Sequence, residues 1–412
     1  MASDLLIPRH VTNWIEWAMT RAGKWIAEAE TQGISLRLYD DLAEVKLIWQ
    51  EFEKHAALTP FQTASWAYSW MAHIGRVEKV KPIVVLASDE KGLLFLLALQ
   101  IEQGVLRKLS WLCSDLNDYN GPIIAADYTA RTAGFSMPDA WRSILSVINA
   151  QPSLKYDFVR LEKMPELICG QANPMLSLHT NLNASHAYRT LMLGGWEAFY
   201  NSKRSNSSKS KDRYNRKKLN AIGETVLVCP EDAAGICASV DLLMEQKGQR
   251  FAQMGVSNLF EKPGHAAFYR AIAQDERELV HVSKLQVGDK IAATNLGLTF
   301  RGAYYYILTS YGQGETMRFS PGTLHMQDIM KMFCENGFEA FDFTIGDEPY
   351  KLEYCEDKNS LYDHMDASTM QGRAALAYWS AFQSTKRYIK QTPALWNAYA
   401  KLRGVFAARK AS

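Results

Sequence analysis

Asp342, Tyr350 and Lys351 fall within a single short stretch, and their side chains are a carboxylate, a phenol and an ammonium. Such a set can remove a proton, return one and hold a developing negative charge, which are the demands of group transfer to a nucleophile. In Phe341-Asp-Phe-Thr-Ile345 the alternation sends Phe341, Phe343 and Ile345 to one face of a strand and Asp342 and Thr344 to the other. Asp342 is then either a base on a central strand or an anchor that orders the following loop by hydrogen bonding. That loop, Gly346-Asp-Glu-Pro-Tyr-Lys351, brings Asp347, Tyr350 and Lys351 to where an acceptor would enter. Tyr350 suits a proton donor and Lys351 a ligand for an anionic acceptor or an oxyanion. Asp347 is either a substrate contact or a solvated loop residue.

A second constellation precedes it. Met317-Arg-Phe-Ser-Pro-Gly-Thr-Leu324 reads as a helix start, with Ser320 at the N-cap and Pro321 in the first turn, where its missing N–H is harmless. Gly322 lets a ligand approach the backbone. The N–H groups of Gly322, Thr323 and Leu324 would point outward together with the positive end of the helix dipole, an arrangement that favours a pyrophosphate. Arg318 adds a charged donor. The bland alternative is an ordinary capped helix with Met326, Ile329, Met330 and Phe333 facing the core and Asn336-Gly337 ending it. His325, in the first turn, is either a further base or a partly buried histidine.

Two stretches are basic. Lys203 to Lys218 carries eight basic residues against the single acid Asp212. Its serine-rich start reads as a flexible linker, and Arg213 and Arg216 on its later helical face are candidate substrate contacts. A solvated face, or contact with phosphates, an anionic glycan or lipid, or a nucleic acid, all remain open for it. From Leu376 onward there is no Asp or Glu, while Lys386, Arg387, Lys390, Lys401, Arg403, Arg409 and Lys410 alternate with Trp379, Phe382, Tyr388, Trp396, Tyr399 and Phe406. Such helices either dock on the domains or lie on an anionic membrane surface.

The whole chain, 412 residues with 47% hydrophobic and 22% charged residues, exceeds what one core usually supports, so two domains are expected. A net charge of +2 excludes a global field that would steer the chain to nucleic acid. Six cysteines without CxxC spacing read as buried thiols in a reducing compartment, with no metal site. With no signal pattern and no apolar run near the roughly 18 residues a span requires, the expected location is the cytoplasm, with peripheral contact at the inner face of a membrane left open.

The elements that must position the candidate residues occur twice. After an amphipathic N-terminal helix over 1–34, residues 35–185 read as strand, helices, hairpin, helix and strand. Residues 186–224 form a basic connector. Residues 225–368 repeat the order, with strands over 279–287, 290–300 and 303–311, a helix over 324–335 and the strand at Phe341. Residues 369–412 form the basic aromatic tail.

This order resembles a GNAT acyltransferase domain, present in tandem, an α/β (α+β) architecture of mixed, mostly antiparallel sheets flanked by helices. The motifs Thr59-Pro-Phe-Gln-Thr63, Ser114-Asp-Leu-Asn-Asp-Tyr-Asn-Gly-Pro122 and Phe341-Asp-Phe-Thr-Ile-Gly-Asp-Glu-Pro-Tyr-Lys351 resemble those of the CelD-like tandem-GNAT group associated with cellulose and other exopolysaccharide synthesis. The resemblance implies acetyl-CoA or another acyl-CoA as cosubstrate, its pyrophosphate at the helix start bearing Arg318, and Tyr350-Lys351 in the catalytic loop. It also implies a sugar or envelope-precursor acceptor and a degenerate first half. The family's usual Arg/Gln-x-x-Gly-x-Gly/Ala pattern is only partly present here. Two alternatives stay open: an aminoacyl-tRNA-dependent transferase similar to the Fem type, and a non-catalytic subunit of a polysaccharide-synthesis complex.

Overall fold

The protein's structure, a computed structural model, describes residues 23–392 except 357. The described residues form two compact units, one of residues 23–183 and 360–380 and the other of 184–359 and 381–392.

In the first unit, β1 (Ala27–Thr31) and β2 (Ile34–Tyr39) lead to helices α1 (Lys46–His55) and α2 (Ala64–Trp70). Then come β3 (Lys81–Asp89), β4 (Gly92–Glu102), β5 (Lys108–Trp111), helix α3 (Met137–Ala150), β6 (Phe158–Pro165) and β7 (Thr180–Leu182). The expected N-terminal helix lies outside the described residues up to 22, and its last part is instead strand β1. The Thr59-Pro-Phe-Gln motif is a capping box, Gln62 Oε1 accepting the Thr59 N–H at 3.2 Å. In the Ser114–Pro122 motif Asn117 accepts the Trp66 indole N–H at 2.8 Å and Asn120 donates to the Glu162 carbonyl at 3.0 Å. Both motifs therefore knit the core of this unit.

The second unit holds β8 (Ala187–Leu191), α4 (Trp196–Lys203), α5 (Asn206–Ile222), β9 (Thr225–Val228), α6 (Ala233–Gln253) and α7 (His265–Asp275). The meander β10 (Val280–Val287), β11 (Lys290–Phe300) and β12 (Ala303–Tyr311) follows, then α8 (Pro321–Glu335) and β13 (Ala340–Ile345). The strand order is β8-β13-β12-β11-β10-β9, antiparallel except for β12 and β13. Met326, Ile329, Met330 and Phe333 form the apolar stripe of α8 and bury against Tyr304, Tyr306, Phe341 and Phe343.

The last strand, β14 (Leu361–Ala367), corrects the expected boundary at 368. It pairs antiparallel with β6, so the first sheet runs β1-β2-β3-β4-β5-β6-β14-β7. The expected connector, 186–224, is likewise no linker. β8 pairs with β13, and Ser205 Oγ accepts the Ser208 N–H at 3.1 Å, so the serine-rich start is a helix cap. Helix α9 (Met370–Gln391) opens the basic aromatic tail, and residues 393–412 of that expectation lie outside the described residues. No helix among the described residues is long and apolar enough to cross a membrane.

Candidate active site

The second unit opens at one place in its sheet. β12 and β13 pair only over Ala303–Tyr305 and Ala340–Asp342, yet β12 continues to Tyr311 and β13 to Ile345. Where the pairing stops, β12 bulges: Leu296 faces Leu308 and Leu298 faces Tyr305, so Tyr306 and Ile307 together oppose Gly297. A bulge increases local twist and leaves a residue out of the ladder. β12 therefore turns away from β13, and among the described residues no strand covers that edge beyond Tyr305. Gly297 is required there, because an added Cβ would stand 2.2 Å from the Tyr304 hydroxyl, which lies 3.1 Å from His281 Nδ1 and donates to Asn295.

β12 leads by a 3-10 turn, Glu315–Phe319, into α8. Ser320 is left-handed (φ 51°, ψ 53°) and makes no side-chain cap bond, which corrects its expected role. An N-cap side chain reaches the first turn from extended backbone, which Ser320 does not adopt. Its carbonyl instead takes the N–H groups of Thr323 and Leu324 at 3.1 and 3.3 Å, so two of the three donors expected to meet a ligand are engaged within the helix start. Gly322 lies against Tyr311, an added Cβ standing 3.3 Å from Tyr311 Cδ1. Arg318 is exposed, its Nε 3.4 Å from the Glu315 carbonyl and its guanidinium 5.5 Å from the Phe319 ring.

Asp342 sits at the fork, opposite Tyr305 of β12 and Arg189 of β8, and is only 4% exposed. With Phe341 and Phe343 in the core under α8, alternation puts Asp342 on the other face of the sheet. Its Oδ1 accepts the Thr344 N–H at 2.8 Å, and Thr344 has φ +57°, a conformation that strains a β-branched residue. One carboxylate oxygen thus orders the start of the loop.

The loop residues take different parts. Lys351 is buried, its Nζ donating to the Ile345 and Thr344 carbonyls at 3.1 and 3.4 Å and lying 2.9 Å from Glu348. The expected anion ligand is instead a clasp across its own loop, because its ammonium is turned inward to the strand end. Asp347 accepts from His186 Nδ1 and the Tyr188 hydroxyl, both at 3.0 Å. Burial works to raise its pKa, but these hydrogen bonds outweigh it and hold the carboxyl below its usual range. Tyr350 lies edge-on to Phe343 at 6.1 Å, and burial, then Tyr306 and Glu348, push its hydroxyl well above the usual phenol range. Tyr350 is protonated at neutral pH.

Other expected residues are drawn elsewhere. Arg216 makes a bidentate pair with Asp328 of α8, at 2.5 and 2.8 Å, which pins α5 to α8 and corrects its expected role as a substrate contact. Arg213 is exposed, 3.2 Å from Ser210 Oγ. Asp212, the single acid of the run, is buried and accepts from Tyr200, Arg204 and Gln327. His325 is fully buried, Nε2 3.1 Å from Ser283 Oγ, and burial depresses its pKa to about 3, which removes it as an accessible base. Sequence reasoning missed the bulge, Gly297, and Arg250 of α6, whose guanidinium lies 4.1 Å from the Tyr311 ring centre. No local signal marks any of the three, since each is defined by a neighbour on another strand or helix.

Residues 206–352, which include the forked strands β12 and β13 and the start of α8, match the acetyltransferase (GNAT) domain family. The second unit carries a GNAT acetyltransferase domain, so the protein is a transferase, in the fold class its element order implied. Among solved structures, FemX is similar over 77% of this chain and 95% of its own, at 11% identity and a TM-score of 0.51. A conserved protein of unknown function from Bacteroides thetaiotaomicron VPI-5482 is similar over 79% of this chain and 98% of its own, at 14% identity and a TM-score of 0.50. At such identities the likeness concerns the fold. No curated protein matches the chain in sequence.

Proposed function

We propose that the second unit binds an acyl-CoA, acetyl-CoA foremost, in the fork between β12 and β13 and transfers its acyl group to an amine, or less readily a hydroxyl. The acceptor is a sugar or cell-envelope precursor, in keeping with the resemblance of three motifs to exopolysaccharide-associated acetyltransferases. The observation that carries the reading is the fork itself, beside the start of α8. The peptide groups of β12 beyond Tyr305, which no strand among the described residues pairs on that edge, suit an extended ligand with amides of its own, such as pantetheine, which would add to the sheet like a strand. Gly322, the α8 dipole and Arg318 suit the diphosphate; Thr323 and Leu324 shape that turn, their N–H groups being held by Ser320.

In the reaction the acceptor nitrogen attacks the thioester carbonyl carbon, and the C–S bond breaks as the tetrahedral intermediate collapses. A backbone N–H of the Tyr306–Ile307 bulge faces the developing oxyanion, Asp342 takes the proton from the nitrogen, and Tyr350 donates a hydrogen bond to the departing thiolate. Lys351 and Asp347 hold the loop that presents Tyr350. Calorimetry with acetyl-CoA, followed by thiol release with a panel of amino sugars, tests the reading. Absence of acetyl-CoA binding refutes it.

A second reading, aminoacyl transfer of the Fem type, is favoured by the exposed basic face of α5, where Lys211, Arg213, Lys217 and Lys218 reach solvent. It predicts salt-sensitive tRNA binding together with weak CoA affinity.

A further inference from the structure

Two arginines of this unit that meet the core are neutralised by carboxylates: Arg204, buried between α4 and α5, pairs with Asp212, and the half-buried Arg216 of α5 pairs with Asp328. Arg250, in the last turn of α6, differs. It is half-buried, its guanidinium carbon lies over the Tyr311 ring at 4.1 Å from the centre, and among the described residues no carboxylate lies within ion-pair distance of it. A guanidinium held over an aromatic ring by a cation–π contact can still turn N–H groups to a planar or tetrahedral anion, and it loses less freedom on binding than an unanchored side chain. Tyr311 in turn is the residue that abuts Gly322 in the first turn of α8. Arg250, Tyr311 and the α8 start are therefore contiguous, although they come from three elements far apart in sequence.

We infer that Arg250 is a phosphate ligand of the cofactor site, gripping the diphosphate of acyl-CoA from the α6 side while the α8 start and Arg318 hold it from the other. The inference rests on the acyl-CoA reading above and adds to it a specific cation that neither the helix start nor its flanking sequence contains. It also gives the arginine-to-tyrosine contact a purpose: it pre-sets the guanidinium before the ligand arrives.

The test compares coenzyme A with 3′-dephospho-coenzyme A, which keeps the diphosphate, by calorimetry on the full chain. Arg250→Gln is expected to weaken both by at least about tenfold and by similar factors, with Arg250→Lys falling between it and the parent because it keeps the charge without the planar fork. Melting curves establish that each variant is folded, and Arg250→Lys carries the test if the glutamine variant does not fold. Parental affinity in a folded Arg250→Gln protein overturns the inference. A loss confined to coenzyme A assigns Arg250 to the 3′-phosphate and overturns the diphosphate role. If the parent binds neither compound the cofactor reading itself falls, an outcome distinct from the first two.

Discussion

Lys351→Met separates a structural from a catalytic lysine. Methionine keeps much of the buried stem and removes the ammonium that donates to the Ile345 carbonyl at 3.1 Å and, more weakly, to the Thr344 carbonyl at 3.4 Å. A buried acceptor left without a donor costs about 1–3 kcal/mol, and the longer bond contributes the smaller share. Glu348, its side chain 55% exposed, is resolvated and adds little. Withdrawing a buried ammonium also returns part of its desolvation cost. The net loss is roughly 2 kcal/mol, which for a unit of this size lowers the melting temperature by roughly 4–8 °C. Circular dichroism melting and acetyl-CoA calorimetry are the assays, with CoA affinity expected to change by less than about threefold below the transition. An unchanged melting temperature with turnover or acceptor binding abolished would refute the clasp and return Lys351 to the reacting groups.

Gly322→Glu puts bulk and negative charge between Tyr311 and the proposed diphosphate, so CoA affinity should fall by at least roughly tenfold in calorimetry; equal affinity in a folded variant removes this helix start from the cofactor site. Asp342→Asn should keep CoA binding but lower turnover about 10²-fold, the scale of a lost general base, and parental turnover would leave Asp342 with loop ordering alone. Asp363 of β14 is buried, and desolvation, partly offset by hydrogen bonds from Asn183 and the Lys163 N–H, raises its pKa to about 6. A carboxyl raised in the folded state stabilises most below its unfolded pKa of about 3.9 and loses that contribution as pH rises through about 6. The melting temperature of the first unit should therefore drop across that window. Asp363→Asn should flatten the drop, and an identical pH profile would contradict the assignment.

The tandem order of elements was legible because its signals are local. The hairpin of β3 and β4, the meander of β10 to β12 and the apolar stripe of α8 each depend on residues near one another in the chain, so alternation and helical spacing report them directly. Asp342 and Tyr350 could be singled out for the same reason, as one strand and its loop.

What the tertiary structure alone decided is which groups remain available. A basic run looks like a solvated linker until Asp212, its one acid, is found buried beneath Arg204 and Gln327. Ser320 looks like a cap until its left-handed backbone is seen to make no side-chain cap bond, and Lys351 looks like an anion ligand until two carbonyls at the end of β13 are seen to accept its hydrogen bonds. The return of β14 to the first sheet and the extra residue that forks β12 from β13 are pairings between strands, and Arg250 meets Tyr311 only through the packing of α6 on β12. Sequence sets each residue's chemistry and its local periodicity; burial, register and partner depend on contacts closed over long stretches of chain, where no short-range pattern specifies them.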